Sequence, residues 1–139
     1  MAKNGYNTNL AAEFFVLSSL HRLGMTANLT LGNKKSVDIV VVRDAGDAIT
    51  LDVKGLAGAT SWPVDNMREA KPNHFLVFVG YNGKIDDPRT CPEVYIIPSK
   101  KIARFVYHSP RGGRRVVPRH RLRRKAIHYR DAWSLLAEA

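Results

Sequence analysis

Residues 35–55 read KSVDIVVVRDAGDAITLDVKG, and their pattern decides the fold. Segments 36–43 and 47–54 are β-branched and apolar, with Asp44-Ala45-Gly46 as a turn between them. Three-residue hairpin loops commonly close on a left-handed residue, which Gly46 provides. That loop pairs Arg43 with Asp47. Counting back sets Val41 against Ile49, Ile39 against Leu51 and Val37 against Val53, so one face is wholly apolar. The other face carries Val42 with Ala48, Val40 with Thr50, and Asp38 with Asp52. Directly opposed residues have Cβ atoms about 4.5–5.5 Å apart. Two carboxylates at that spacing repel unless a proton or a cation lies between them. Lys54, two residues beyond Asp52, projects from the same face. Two acids beside an amine outline a divalent-metal site. A one-residue slip would destroy the arrangement, and the apolar pairs independently select this register.

Upstream, Thr8 or Asn9 caps a helix that runs to about 21–23, with Gly24 after its end. Leu10, Phe14, Leu17 and His21 follow helical spacing, and Glu13 lies at the edge of that stripe, pointing toward the protein. The plainer reading is a first-turn glutamate favoured by the helix dipole. Residues 25–31 form a strand that turns into the hairpin at Gly32-Asn33. Downstream, Gly58 and Pro63 oppose a long helix over 56–67, which predicts a loop or short helix at the mouth of the site. Trp62 there covers the core or stacks on a base, the former being commoner for tryptophan. HFLVFVGY at 74–81 suits a central strand covered on both faces. Residues 93–97 form another strand, ended by Pro98. Ser99 caps a short helix over 100–107, and 129–138 reads as a final helix packed through Trp133, Leu135 and Leu136.

Asp38, then Asp52-Val53-Lys54 at the end of the next strand, with a helical Glu13 upstream, resembles the PD-(D/E)XK nuclease superfamily. That superfamily includes many restriction enzymes and Holliday-junction resolvases. The resemblance covers about the first 100 residues. Val37 stands where many members have proline. The resemblance implies an α/β fold with a restriction-endonuclease-like α-β-β-β-(α)-β core, a mixed central sheet, a basic segment and a C-terminal helix. It implies a metal-dependent deoxyribonuclease in which Asp38 and Asp52 hold one or two Mg²⁺ (or Mn²⁺) ions. The Val53 carbonyl is a further ligand, and Glu13 ligates directly or through water. Lys54 orients the attacking water or stabilises charge on the phosphate.

The chain has 139 residues, a length that fits one domain with a real core. No apolar run reaches transmembrane length and the N-terminus is polar, so a cytoplasmic protein is expected. Cys91 is the one cysteine, which leaves no disulfide framework. None of the five histidines forms a metal-ligand spacing, and no Walker-type or dinucleotide-binding loop is present. Net charge is +10, and its placement matters more than its size. Residues 109–130 hold nine Lys/Arg and no acid, while the rest of the chain is nearly balanced. Pro110, Gly112, Gly113 and Pro118 oppose regular helix, so residues 109–128 read as a basic arm or loop. Arg119, Arg121 and Arg123 then share one side of an extended strand. Arg111, Arg114, Arg115, Arg119, Arg121, Arg123, Arg124 and Lys125 are the expected contacts to DNA phosphates, on duplex or branched DNA. A homodimer is among the expectations. Two other function classes stay open: a catalytically silent nucleic-acid-binding module, and a protein-interaction factor such as a ribosome-associated protein.

Overall fold

The computed structural model describes residues 5–30, 38–65 and 70–137. Helix α1 (Gly5–Arg22) leads into β1 (Thr26–Leu29), β2 (Ile39–Val42) and β3 (Ala48–Leu56). A short strand β4 (Ser61–Pro63) precedes β5 (His74–Gly80) and β6 (Glu93–Pro98). The basic region supplies β7 (Tyr107–His108), β8 (Arg115–Pro118) and helix α2 (Arg119–Lys125). A four-residue helix α3 (Ser134–Ala137) follows.

Five strands form one mixed sheet in the order β1-β2-β3-β5-β6. Only the β3–β5 pair is parallel; the rest are antiparallel. The expected α/β architecture with a mixed central sheet is therefore present. The hairpin register is the one expected, with Ile39 facing Leu51, Val40 facing Thr50, Val41 facing Ile49 and Val42 facing Ala48. Arg43 N–H donates to the Asp47 carbonyl at 2.9 Å, and Gly46 takes φ 91°. The expected Val37–Val53 pair lies outside the described residues, as does the Gly32-Asn33 turn.

Two apolar clusters lie on opposite faces of the sheet. Ile49, Leu51, Val53, Val77 and Val79 pack under Ala12, Val16 and Leu20 of α1. Leu76, Phe78, Tyr95 and Ile97 point the other way, toward Trp62, Val117 and Leu122. The second layer is a three-stranded sheet, β4-β8-β7, together with α2. Strand β5 is buried along its whole length, as its apolar run predicted. Trp62 is fully buried, donates its indole N–H to the Val79 carbonyl and meets Phe78 edge-on, so it covers core.

Several local expectations are corrected. The buried stripe of α1 is Thr8, Ala12, Val16 and Leu20, whereas Phe14 and His21 are exposed. The large side chains of the expected stripe sit to one side, because the helix approaches the sheet on small ones. At Gly55 an added Cβ would lie 2.9 Å from the Thr8 carbonyl oxygen and 3.0 Å from Ala12 Cβ. Within residues 56–65 a short strand, β4, stands where a loop or short helix was expected. The turn after β6 is a 3-10 helix, Ser99–Phe105, without a side-chain cap. The Ser99 hydroxyl instead exchanges hydrogen bonds with the backbone of Lys71. The C-terminal helix is shorter than 129–138 because a 3-10 turn, Ile127–Tyr129, and Asp131 at φ 51° interrupt it. Among the described residues no helix is long and apolar enough to cross a membrane.

Candidate acidic site and basic layer

Asp52 and Lys54 sit at alternate positions of β3, on the face that also carries Leu76 and Phe78. Asp52 is only 8% exposed. Its carboxylate is therefore largely withdrawn from water.

Asp38 stands where the regular ladder of β2 ends. Its N–H donates to the Leu51 carbonyl at 2.8 Å, although Ile39 is Leu51's partner in the ladder. Two residues of one strand thus meet one of the other, the count of a β-bulge. The expected direct opposition of Asp38 and Asp52 is replaced by this offset. Asp38 Oδ2 instead accepts the Val53 N–H at 2.7 Å, the amide that an unbroken ladder would have paired with backbone. The aspartate closes the hairpin with its side chain and is fixed by doing so.

The charges nonetheless feel one another. Burial raises the Asp38 carboxyl above the usual range; the Val53 amide opposes this, the Asp52 charge adds to it and Lys54 opposes it. Glu13, one residue past the buried Ala12, is half-buried. Burial first, and the negative charge of Asp38 second, push its carboxyl up to about 7. Asp38 is thus coupled to Glu13 of α1 and to Asp52 of β3, with Lys54 as an opposing charge. Asp38 has one oxygen bonded to backbone, and Asp52 Oδ2 faces His74 Nε2 at 3.6 Å. The second oxygen of each aspartate makes no hydrogen bond with described residues.

An all-oxygen donor set of carboxylates and a backbone carbonyl suits a hard divalent cation. Among the described residues no three His, Cys, Asp or Glu side chains converge closely enough to form a cage. The carboxylates of Asp38 and Asp52 are donors of the kind such a cation takes. Beyond Lys54 a cavity of about 420 Å³ opens between the first turns of α1 and the Gly55–Gly58 stretch, with Trp62 and Pro63 also in its wall. Of the four charged residues of the site, Lys54 alone lines it.

The basic segment is built differently from the expected extended arm. Arg119, Arg121 and Arg123 lie on α2, so they do not share one side of a strand. Pro118 immediately precedes the helix, where a missing N–H costs nothing. Arg119 and Arg123, one turn apart, reach back to the sheet. Arg119 donates to the Asn82 side-chain carbonyl. Arg123 forks onto Glu93 at 2.7 and 2.9 Å, and Tyr95 O–H donates to the same carboxylate at 2.5 Å. With Glu93 buried, the Arg123 guanidinium holds its carboxyl down to about 2. Arg121 donates to the Val106 carbonyl and lies over the Tyr107 ring. Arg114 and Arg115 are held by Asp65, which they keep below the usual carboxylate range. The side chains of Arg111, Arg124 and Lys125 are exposed and unpaired among the described residues. Five of the eight expected phosphate contacts thus have protein partners, and three do not.

His74 was not singled out by sequence. The one signal was a polar residue opening an otherwise apolar strand, and nothing local reveals that β3 is its parallel neighbour.

No protein-family model matches the chain, and a search of curated proteins finds no match. Among solved structures, the chain is similar to a bacterial homing endonuclease, I-Ssp6803I, with a TM-score of 0.60. The alignment covers 97% of this chain and 92% of that one at 16% sequence identity, so the likeness is one of fold, over nearly the full length of both.

Proposed function

We propose that the protein is a metal-dependent endonuclease acting on DNA. The observation that carries this reading is a buried acid, Asp52, alternating with Lys54 on β3, with the Asp38 carboxylate close enough to feel both charges. Asp52 and Lys54 project from the face that β8 and α2 cover, and the exposed Arg111, Arg124 and Lys125 belong to that covering layer. The similarity of the fold to an endonuclease supports the same reading.

In this mechanism Asp38 and Asp52, with the Val53 carbonyl, would hold the cation, and Glu13 would join directly or through water. A bound Mg²⁺ or Mn²⁺ supplies positive charge to the scissile phosphodiester and a more acidic water. Val53 N–H keeps Asp38 in a single orientation before substrate arrives. Lys54 lies between the acids and the open cavity, where its amine stabilises charge on the phosphate or orients the attacking water. Glu13, raised to about 7 by burial and by Asp38, is the one of these acids that would take up or release a proton near neutral pH.

The test is incubation of the purified protein with labelled duplex, branched and single-stranded DNA in Mg²⁺ or Mn²⁺. Strand cleavage that disappears in Asp38→Asn and in Lys54→Ala is the expected result. Metal-dependent DNA binding without cleavage of any substrate would instead support the silent binding module.

A further inference from the structure

We propose that His74 is a positioning residue for Asp52: its ring would engage one carboxylate oxygen and leave the other for a divalent cation. This rests on the reading of Asp52 as a ligand. His74 opens β5 and is paired with Thr50 in the parallel ladder, which sets it beside Asp52 on the same face. The ring is 6% exposed. Its Nε2 lies 3.6 Å from Asp52 Oδ2, a separation that a small turn of either side chain closes to a hydrogen bond. Its Nδ1 is buried and has no hydrogen-bond partner among the described residues.

A buried nitrogen without a partner carries a desolvation cost that an apolar side chain of similar shape avoids. The rest of β5 is filled by such side chains. Shape alone therefore does not account for a histidine here; contact with Asp52 does. The arrangement parallels Asp38, where the Val53 amide engages one carboxylate oxygen and leaves the other. Each aspartate has its own fixture, a backbone amide for Asp38 and an imidazole for Asp52. Partners behind a metal ligand commonly change metal affinity by about 10–100-fold when removed.

Two measurements test this. The first is the nitrogen spectrum of ¹⁵N-histidine-labelled protein without metal, in wild type and Asp52→Asn. The His74 ring resonances should move on that substitution; unmoved resonances would overturn the proposal. The second is the Mn²⁺ concentration giving half the maximal thermal stabilisation. It should rise about 10-fold in His74→Phe, and His74→Gln, which keeps an N–H donor, should recover most of the loss. Equal loss in both variants would show a packing role and overturn the proposal. A wild type that Mn²⁺ does not stabilise, with His74 still responding to Asp52→Asn, would instead overturn the metal reading and leave the orientation of Asp52 by His74 standing.

Discussion

Glu13 shows how much the acidic site costs the folded chain. Its carboxyl is raised from 4.5 to about 7 by burial and by Asp38. Near pH 4 it is protonated whether the chain is folded or not. Between 4.5 and about 7 the unfolded chain releases the proton first, so folding loses stability as pH rises through that window. Glu13→Gln should therefore melt higher than wild type at pH 8 and with it near pH 4. After allowance for solvent screening the gain is on the order of 1 kcal/mol, or about 3–5 °C. Melting curves at the two pH values check this, and equal melting at pH 8 would place Glu13 in ordinary solvent. Arg123 is the opposite case. Arg123→Ala leaves the buried Glu93 with Tyr95 and Asn82 but no opposing charge, at a cost of about 2 kcal/mol or more in urea unfolding. Glu93, held near 2, contributes stability above 4.5 that is lost as pH falls toward 2, so the effect of Arg123→Ala should shrink in acid.

At the scale of elements, the contact of α1 with β3 brings Glu13 within reach of the Asp38 charge, and Gly55 makes that contact close. Gly55→Ala forces a methyl against the Thr8 carbonyl and Ala12, so it should destabilise by about 1–3 kcal/mol. Because the displaced helix carries Glu13, the variant should also bind Mn²⁺ more weakly than its stability loss alone explains. The hairpin was legible in sequence because two independent constraints agree: a period of two along each strand, and a loop whose Gly46 fixes the pairing. The face of α1 was not legible, because bulk at Leu10, Phe14 and Leu17 outweighs the small residues that close approach requires. The offset at Asp38 was hidden as well, since a bulge leaves the alternation of the remaining pairs intact. Helix α2 was masked by Pro118 and the preceding glycines. It is anchored through Glu93, thirty residues earlier, a partner that no local pattern announces. The alternation of Asp52 and Lys54 along β3 was thus readable from spacing, and the pairing of individual arginines was not.

For the whole molecule, the basic layer should give DNA binding that is governed by phosphates. Affinity should fall with salt by about 0.9 log unit per log unit of salt for each duplex phosphate neutralised. Arg111→Ala, Arg124→Ala and Lys125→Ala combined should flatten that slope equally on different sequences, without loss of thermal stability, because these side chains are unpaired among the described residues. Fluorescence anisotropy across a salt series measures it, and an unchanged slope would move the DNA-binding surface elsewhere. Arg119→Ala with Arg123→Ala should instead lower stability, since both reach the sheet. The proposed function stands on one binding event, a divalent cation at Asp38 and Asp52. The most direct measurement is calorimetric titration of Mn²⁺ into wild type and Asp52→Asn. Saturable binding by the wild type, lost in Asp52→Asn, is the result this account predicts. Absence of binding in the wild type, or equal binding by both proteins, would contradict it.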